Sequence, residues 1–410
     1  MDYQRVSVCR CCGSKDLGLV LDLGKLPLAN SYTKEPEELP VFPLELMVCR
    51  NCFHNQLSVV VDPDLMFRHY LYVSGTSRTL RAHFAGMARE ALEWVSPRPR
   101  RVLDIACNDG TLLEAFRNRG CAVRGIDPAR NLVAMAAGKG LEVVEGYWPE
   151  ARAQVGGAFD LITAANVLGH VADPAAFLQA ALDCLTPQGA VIVEFPYCSE
   201  MLLRGEWDTI YHEHLSYFLA SPLLALVERL GASVTHVRCV PIHGGSLRLA
   251  VERGPGRHCL GILSLAKGER DAGVLDPLTH AVFARQVETT CTELGELVRD
   301  LAQAGRRVIG YGASAKGNTL LNRCPLPLAY IVDDNPLKHG YLTPGQQVPI
   351  RAPEEVLREG PGLHVLLLAW NFAAEIVSNL RTWRPGRGDR VIHFIPCVRC
   401  HAVEDRAATG

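Results

Sequence analysis

At 410 residues the chain is longer than one ordinary hydrophobic core can serve, so about three domains are expected. A formal net charge of -2 excludes the basic footprint of a nucleic-acid or anionic-membrane binder and favours small-molecule chemistry. No apolar run reaches the roughly 20 residues needed to cross a bilayer, and Met1-Asp-Tyr-Gln-Arg5 opens no signal-peptide core, so a cytoplasmic, reducing setting is expected for the 15 cysteines.

Two Cys-x-x-Cys pairs, Cys9/Cys12 and Cys49/Cys52, come first in the chain. Such a pair can turn both sulfurs toward one cation, and two pairs complete the closed tetrahedral shell of structural zinc. Cys11, inside the first pair, and His54, just beyond the second, read as bystanders. A disulfide or a set of reduced core thiols is the bland alternative, disfavoured because no secretory segment accompanies the pairs. Cys397 and Cys400 form a further pair with no second pair nearby, so no second zinc is expected. Asp22 to Asn30 is broken by glycine and proline and reads as turns and short extended pieces, suiting a small domain held by metal.

From Ser77 to Val95, apolar residues recur at Leu80, Phe84, Met87, Ala88, Ala91, Leu92 and Val95, which predicts one buried helical stripe. Strand-like and helix-like runs then alternate: Arg101 to Ala106, a helix after Gly110, Ala122 to Ile126, a helix after Pro128, Phe159 to Ala165, and Ala190 to Phe195. Such alternation predicts a parallel sheet covered on both faces. A long helix begins at Asp276-Pro277, with a stripe of Leu278, Val282, Val287, Cys291, Leu294, Val298 and Leu301. A second alternating block follows, with strands at Arg307 to Tyr311, Ala329 to Val332 and His364 to Ala369, and helices after Ser314 and from Phe372. The join is expected near Arg253-Gly-Pro-Gly-Arg257, giving domains 1–75, 76–255 and 256–410.

Arg101-Val-Leu-Asp-Ile-Ala106 runs into Cys107-Asn-Asp-Gly-Thr-Leu-Leu113, the first strand-to-helix turn, where an open parallel sheet binds ligands. The second strand ends in Gly125-Ile-Asp-Pro128, and an acid there, Asp127, is placed to accept from both hydroxyls of an adenosine ribose. A dinucleotide would prefer a glycine-rich turn that draws pyrophosphate to a helix N-terminus. This turn instead carries Asp104, Ala106, Asn108, Asp109 and Gly110. Its acids would repel pyrophosphate and could hold the cationic methionine end of S-adenosylmethionine, so that cofactor is expected. Phe159-Asp-Leu-Ile162 leads to Ala164-Ala-Asn-Val-Leu-Gly-His-Val-Ala-Asp-Pro174, which resembles the fourth-strand segment of class I methyltransferases and adds Ala165 and Asn166 to the cofactor edge.

Trp207-Asp-Thr-Ile-Tyr-His-Glu-His-Leu-Ser-Tyr-Phe218 gathers titratable side chains. Only one residue separates His212 from His214, so the metalloprotease spacing is absent. A general base for carbon chemistry fits better: histidine titrates near neutrality, and an enolate oxygen needs donors, which tyrosines and a second histidine supply. A polar helix surface is the bland reading of any one of these residues.

Taken in order, the two Cys-x-x-Cys pairs, Tyr70-Leu-Tyr-Val-Ser-Gly75, Ala106-Cys-Asn-Asp-Gly110, Tyr211-His-Glu-His214, His243-Gly-Gly-Ser-Leu-Arg248, Gly310-Tyr-Gly-Ala-Ser-Ala-Lys-Gly317 and Asp333-Asp-Asn-Pro336 resemble the zinc-containing sugar C-methyltransferases of deoxysugar biosynthesis, across nearly the entire chain. The resemblance implies an α/β chain with a small zinc-binding domain, a central class I methyltransferase sheet and a C-terminal Rossmann-like domain. It implies a nucleoside-diphosphate keto-deoxysugar substrate, thymidine diphosphate being the expected carrier, in an antibiotic pathway. It further implies His214 as the base, with Glu213, Tyr211, Tyr72 or Tyr70, and His170 lining the same site. His170 also has a packing role as its plain alternative.

Gly310 to Gly317 lies between a strand and a helix, so its amides, Ser314 and Lys316 could cradle the substrate's diphosphate, although the phosphate-loop spacing is absent and a second dinucleotide site is an alternative. Tyr311, Asn318, Asp334, Asn335, Trp370 and Asn371 are expected on the same carboxyl edge, and His243, Ser246 and Arg248 in the substrate site. The remaining alternatives are methylation of another enolisable ketone or keto acid, and a zinc-containing docking protein without chemistry. A monomer is expected.

Overall fold

The structure, a computed structural model, describes residues 2–404. They form two compact units: residues 2–19, Leu46–Ser199 and Glu213–Asp276 in one, and Val20–Glu45, Glu200–His212 and residues 277–404 in the other.

In the first unit the helix α1 (Arg78–Trp94) starts at Ser77, whose side chain accepts from the Leu80 amide, and every residue of the expected stripe is buried. From Phe84 onward the stripe packs on Val102, Leu112, Phe116, Leu161, Ile192 and Ala250, and Leu80 packs on Val240 and Ile242. A sheet of seven strands lies beneath it: β1 (Arg101–Ile105), β2 (Ala122–Asp127), β3 (Val143–Glu145), β4 (Phe159–Ala165), β5 (Leu185–Pro196), β6 (Ala232–Val240) and β7 (Ser246–Arg253). Their order is β6-β7-β5-β4-β1-β2-β3, with β1 to β5 parallel and β7 antiparallel to both of its neighbours, β5 and β6. The chain leaves β1 to build outward through β2 and β3, then returns on the other side of β1 to form β4. The crevice of this doubly wound sheet therefore opens at the carboxyl ends of β1 and β4. Helix α2 (Thr111–Arg117) follows β1, and α3 (Arg130–Gly138) follows β2.

In the second unit α4 (Pro277–Gln303) buries His280, Phe283, Val287, Thr290, Leu294 and Val298, while Leu278 and Val282 are exposed. The expected stripe was thus set one to two positions off over its first two turns; a 3.6-residue period traced back from Val287 passes through Phe283 and His280 instead. Strands β8 (Val308–Tyr311), β9 (Ile331–Val332), β10 (Ile350–Arg351), β11 (His364–Leu367), β12 (Arg390–His393) and β13 (Arg399–Ala402) form the order β10-β9-β8-β11-β12-β13, parallel except for β13. Its switch point lies between β8 and β11. Helix α5 (Ala315–Arg323) leaves the β8 turn, and α6 (Ala373–Trp383) follows β11.

The stretch read as turns between the cysteine pairs belongs to a continuous strand, Leu17–Pro27, with Leu21, Leu23 and Leu26 buried. Gly24, at φ 86°, provides an irregularity inside the strand without ending it. No helix among the described residues is long and apolar enough to cross a membrane.

Candidate functional site

Each cysteine pair sits on a tight turn. The Gly13 amide donates to the Cys9 carbonyl (2.8 Å) and the Phe53 amide to the Cys49 carbonyl (2.8 Å), with Gly13 and Phe53 both left-handed at φ 74° and 61°. The Sγ atoms of Cys9 and Cys52 lie 3.6 Å apart, as do those of Cys12 and Cys49, and all four fall within 4.8 Å of one another. An ion about 2.3 Å from each of four tetrahedral sulfurs sets sulfur to sulfur distances at about 3.8 Å, so the set fits zinc. Cys11 is buried and its thiol is pushed up, chiefly by that burial. His54 is buried with Nε2 3.2 Å from Ser216 Oγ, and burial lowers its pKa to about 3. Neither joins the cluster. Cys397 and Cys400 are contacted by Arg399 Nε and Arg390 Nε, respectively.

At the central crevice the turn after β1 holds three left-handed residues, Ala106, Asn108 and Gly110, at φ 56°, 53° and 78°. Two of these are not glycine, a conformation kept only where surroundings enforce it. Asp127 supplies part of that enforcement: Oδ2 accepts from the Asn108 amide and Oδ1 from the Ala129 amide, each at 2.8 Å. Burial lifts the Asp127 pKa to about 6 against these two donors. Each oxygen keeps a lone pair for a further donor, which is what a ribose diol offers. Across the crevice, Asn166 is held left-handed at φ 57° by the hydrogen bond its backbone amide donates to the Glu194 carbonyl (2.7 Å), and its buried Oδ1 has no partner among the described residues. A strained turn, an acid at the end of β2 and an orphaned acceptor at the end of β4 fit an adenosyl ligand. Ala165 closes β4, and Pro128 is half-buried just after β2.

Two acids of that turn differ from expectation. Asp109 pairs with Lys139 Nζ (2.9 Å) and accepts from Thr111 Oγ1 (2.7 Å), so its charge is already matched and is not held open for a sulfonium. Asp104 lies within β1, accepts from Thr163 Oγ1 (2.6 Å), and is raised to about 7 mainly by burial, with the Asp127 charge adding to it.

The loop Tyr70 to Gly75 is fastened to this crevice by two asparagines. Asn108 Oδ1 accepts from the Ser74 amide (2.9 Å) while its Nδ2 donates to the Tyr72 carbonyl (3.0 Å). Asn131 on α3 does the same for Tyr70, accepting from its amide (3.1 Å) and donating to its carbonyl (2.7 Å). A Cβ on Gly75 would lie 2.3 Å from Asp109 Oδ2, so only glycine permits so close a passage. Asn131 carried no sequence signal; its task follows from which loop passes over α3.

Fastened in this way, Tyr70 Oη donates to Glu213 Oε2 at 2.6 Å. The next residue, His214, is half-buried and stacks on His170 with ring centroids 5.0 Å apart, and His170 stacks in turn on Phe67 at 5.9 Å. His170 follows β4 directly, so the stack stands at the carboxyl edge; burial lowers its pKa to about 4 and keeps it neutral. Tyr72 is 38% exposed, its ring 6.3 Å from that of Tyr70. The two histidines of the motif part company. His212 is buried with Nε2 3.2 Å from the Phe42 carbonyl, and it falls in the second unit with the half-buried Tyr211.

Arg248 and Ser246 take other partners than an open substrate site. Arg248, on β7, is buried and bonds Glu194 (2.8 Å) and Glu90 (2.5 Å), with Glu194 also bonded by His83 (2.7 Å). Ser246 donates to the Ile242 carbonyl (3.0 Å), and His243 is left-handed at φ 56° in the preceding turn. In the second unit Ser314 caps α5 through the Gly317 amide (3.0 Å), Tyr311 Oη donates to Asp334 Oδ1 (2.9 Å), Asn335 caps the short turn Pro336–Lys338, and Asn318 Nδ2 bonds the Ala29 carbonyl (2.7 Å). Lys316 stands 4.2 Å from the Trp370 ring centroid, and Asn371 follows in the turn Trp370–Phe372.

The chain matches three family profiles in sequence: a zinc binding domain over residues 9–67, a methyltransferase domain over 76–237, and a C-methyltransferase C-terminal domain over 241–396. It is 32% identical to the C-methyltransferase NovU of Streptomyces niveus over 97% of this chain and 98% of that protein. A ubiquinone biosynthesis O-methyltransferase of Aeromonas salmonicida is 27% identical over 35% of this chain and 69% of its own length. Among solved structures, the plantazolicin methyltransferase BamL covers 43% of this chain and 86% of its own at 13% identity and TM-score 0.37.

Proposed function

The chain belongs to the family of zinc-binding, S-adenosylmethionine-dependent C-methyltransferases, and on that premise we propose that its acceptor is a carbon next to the ketone of a nucleoside-diphosphate keto-deoxysugar, with thymidine diphosphate as carrier. Family membership sets aside a docking module without chemistry. The observation that carries the reading is the pairing of a half-buried histidine, His214, with a hydrogen-bonded Tyr70–Glu213 couple at the carboxyl edge of the central sheet.

A ketone acidifies its neighbouring carbon, and removing that proton requires a base of near-neutral pKa within reach and a donor for the developing oxyanion. His214 takes the proton. The neutral imidazole of His170 supplies a donor beside it, and Tyr70, whose one hydroxyl proton goes to Glu213, fixes that carboxylate next to the base. Bound S-adenosylmethionine supplies an electrophilic methyl with a good leaving group, so the chain's remaining task is to align two carbons and exclude water. Asp127 and Asn166 would hold the adenosyl portion, and the four cysteines, a closed all-sulfur set, would hold zinc as a structural ion.

Replacing His214 with Asn removes the base while keeping a polar side chain of similar reach. With a thymidine-diphosphate keto-deoxysugar in deuterated water, the wild-type chain is expected to exchange the acidic proton and H214N to lose both exchange and turnover. Exchange that persists in H214N places the base elsewhere, and a panel of ketosugars and keto acids that leaves every sugar unmethylated overturns the substrate class.

A further inference from the structure

The C-terminal sheet has a switch point of its own between β8 and β11, the position at which doubly wound sheets receive nucleotides. Here the crevice is closed at its base. Gly312 is left-handed at φ 94°, and a Cβ there would lie 2.4 Å from the Ala369 Cβ after β11; a Cβ on Gly317 would lie 2.8 Å from the Leu368 Cβ. The glycines that would let a phosphate approach in a nucleotide-binding turn instead let the neighbouring loop approach. The amides of Gly312, Ser314, Gly317 and Asn318 bond to acceptors within the chain.

What occupies the crevice is the chain's own turn Trp207–Thr209. Asp208 is fully buried, and its Oδ2 accepts from Trp370 Nε1 at 2.7 Å. Trp207 is fully buried beside it, and Glu206 is 3% exposed. Lys316, at the start of α5, lies over the Trp370 ring and within electrostatic reach of both acids, which oppose the lowering of its pKa by burial. Buried carboxyls call for compensating charge or donors: Lys316 supplies charge to both acids and Trp370 a donor to Asp208 Oδ2, while Asp208 Oδ1 and Glu206 Oε1 have no hydrogen-bond partner among the described residues.

We propose that this crevice is an anchor for the turn at Glu206 to Thr209, that Lys316 and Trp370 are positioning residues for the segment running on into Tyr211, Glu213 and His214, and that no phosphate of the substrate binds there. Four residues separate Thr209 from His214, Ile210 and His212 among them buried, so the anchor fixes where the backbone enters the motif.

The test uses the full-length, zinc-loaded chain and two variants, Lys316→Met and Trp370→Phe, the second of which keeps an aromatic ring and removes only the donor to Asp208. Amide hydrogen exchange across residues 205–214 is expected to quicken by about tenfold in each, with S-adenosylmethionine affinity unchanged. Methyl transfer is expected to lose about tenfold in kcat with KM held within about twofold. Unchanged exchange in both variants overturns the proposal. So does a rise in KM at constant kcat, which would return Lys316 to phosphate binding. The kinetic arm rests on the ketosugar reading, whereas the exchange arm does not; a wild-type chain that methylates no ketosugar defeats that reading and leaves exchange to decide the anchor.

Discussion

The two doubly wound sheets of this chain reach the same kind of switch point and use it in opposite ways. At the central sheet the strand ends carry Asp127, with lone pairs to spare, and Asn166, with an orphaned acceptor, around a turn kept in left-handed conformation. At the C-terminal sheet the corresponding strand ends carry Gly312 pressed against Ala369, and the space above them is taken by Asp208, Lys316 and Trp370. Topology makes a crevice; the side chains decide whether it holds a ligand or a piece of the protein.

The sharpest way to break this comparison is to remove its two acids in turn. Asp127→Asn weakens acceptors that two ribose hydroxyls would use, and charge-assisted bonds of about 1.5–3 kcal/mol each make the expected loss of S-adenosylmethionine affinity at least about 100-fold by calorimetry. Asp208→Asn is expected to leave that affinity unchanged. Equal losses would mean that the two edges are not distinct.

Gly312→Ala is expected to cost roughly 2–4 kcal/mol of stability, combining left-handed strain with the clash at Ala369, while cofactor affinity is kept. A thermal melt with and without S-adenosylmethionine checks both parts.

Acidity provides a milder probe. The Asp127 pKa is raised to about 6, and it is the ionised form that accepts from hydroxyls, so cofactor affinity is expected to be constant above about pH 7 and to fall roughly tenfold between pH 7 and 5. The sign is that of a needed carboxylate being protonated as pH drops; a fall toward high pH instead would remove Asp127 from the site. The smallest effect expected is that of Tyr70→Phe, which deletes the bond to Glu213 but leaves the ring beside Phe67: about a tenfold fall in kcat with S-adenosylmethionine affinity unaltered.

The pattern of residues carried much of this molecule openly. Helix α1 is legible because its apolar positions keep a 3.6-residue period and Ser77 caps it, and the zinc cluster is legible because Cys-x-x-Cys spacing brings two sulfurs together by local turn geometry alone. The turn after β1 and the acid ending β2 were equally plain, since both are short-range features of single strand ends. What failed to show was any choice among distant partners. Leu278 looked buried because it is apolar, yet the face of α4 is fixed by the sheet beneath it. Asp109, Arg248, Ser314 and Lys316 looked like ligand-binding groups by residue type, and each has a partner tens to hundreds of residues away or caps its own helix. The sequence by itself determined the four-cysteine cluster, the turn and acid at the first two strand ends, and the order of elements, because these depend on neighbours along the chain. Only the tertiary structure decided which charged groups remained for chemistry, because a buried charge is matched by whatever the fold brings to it.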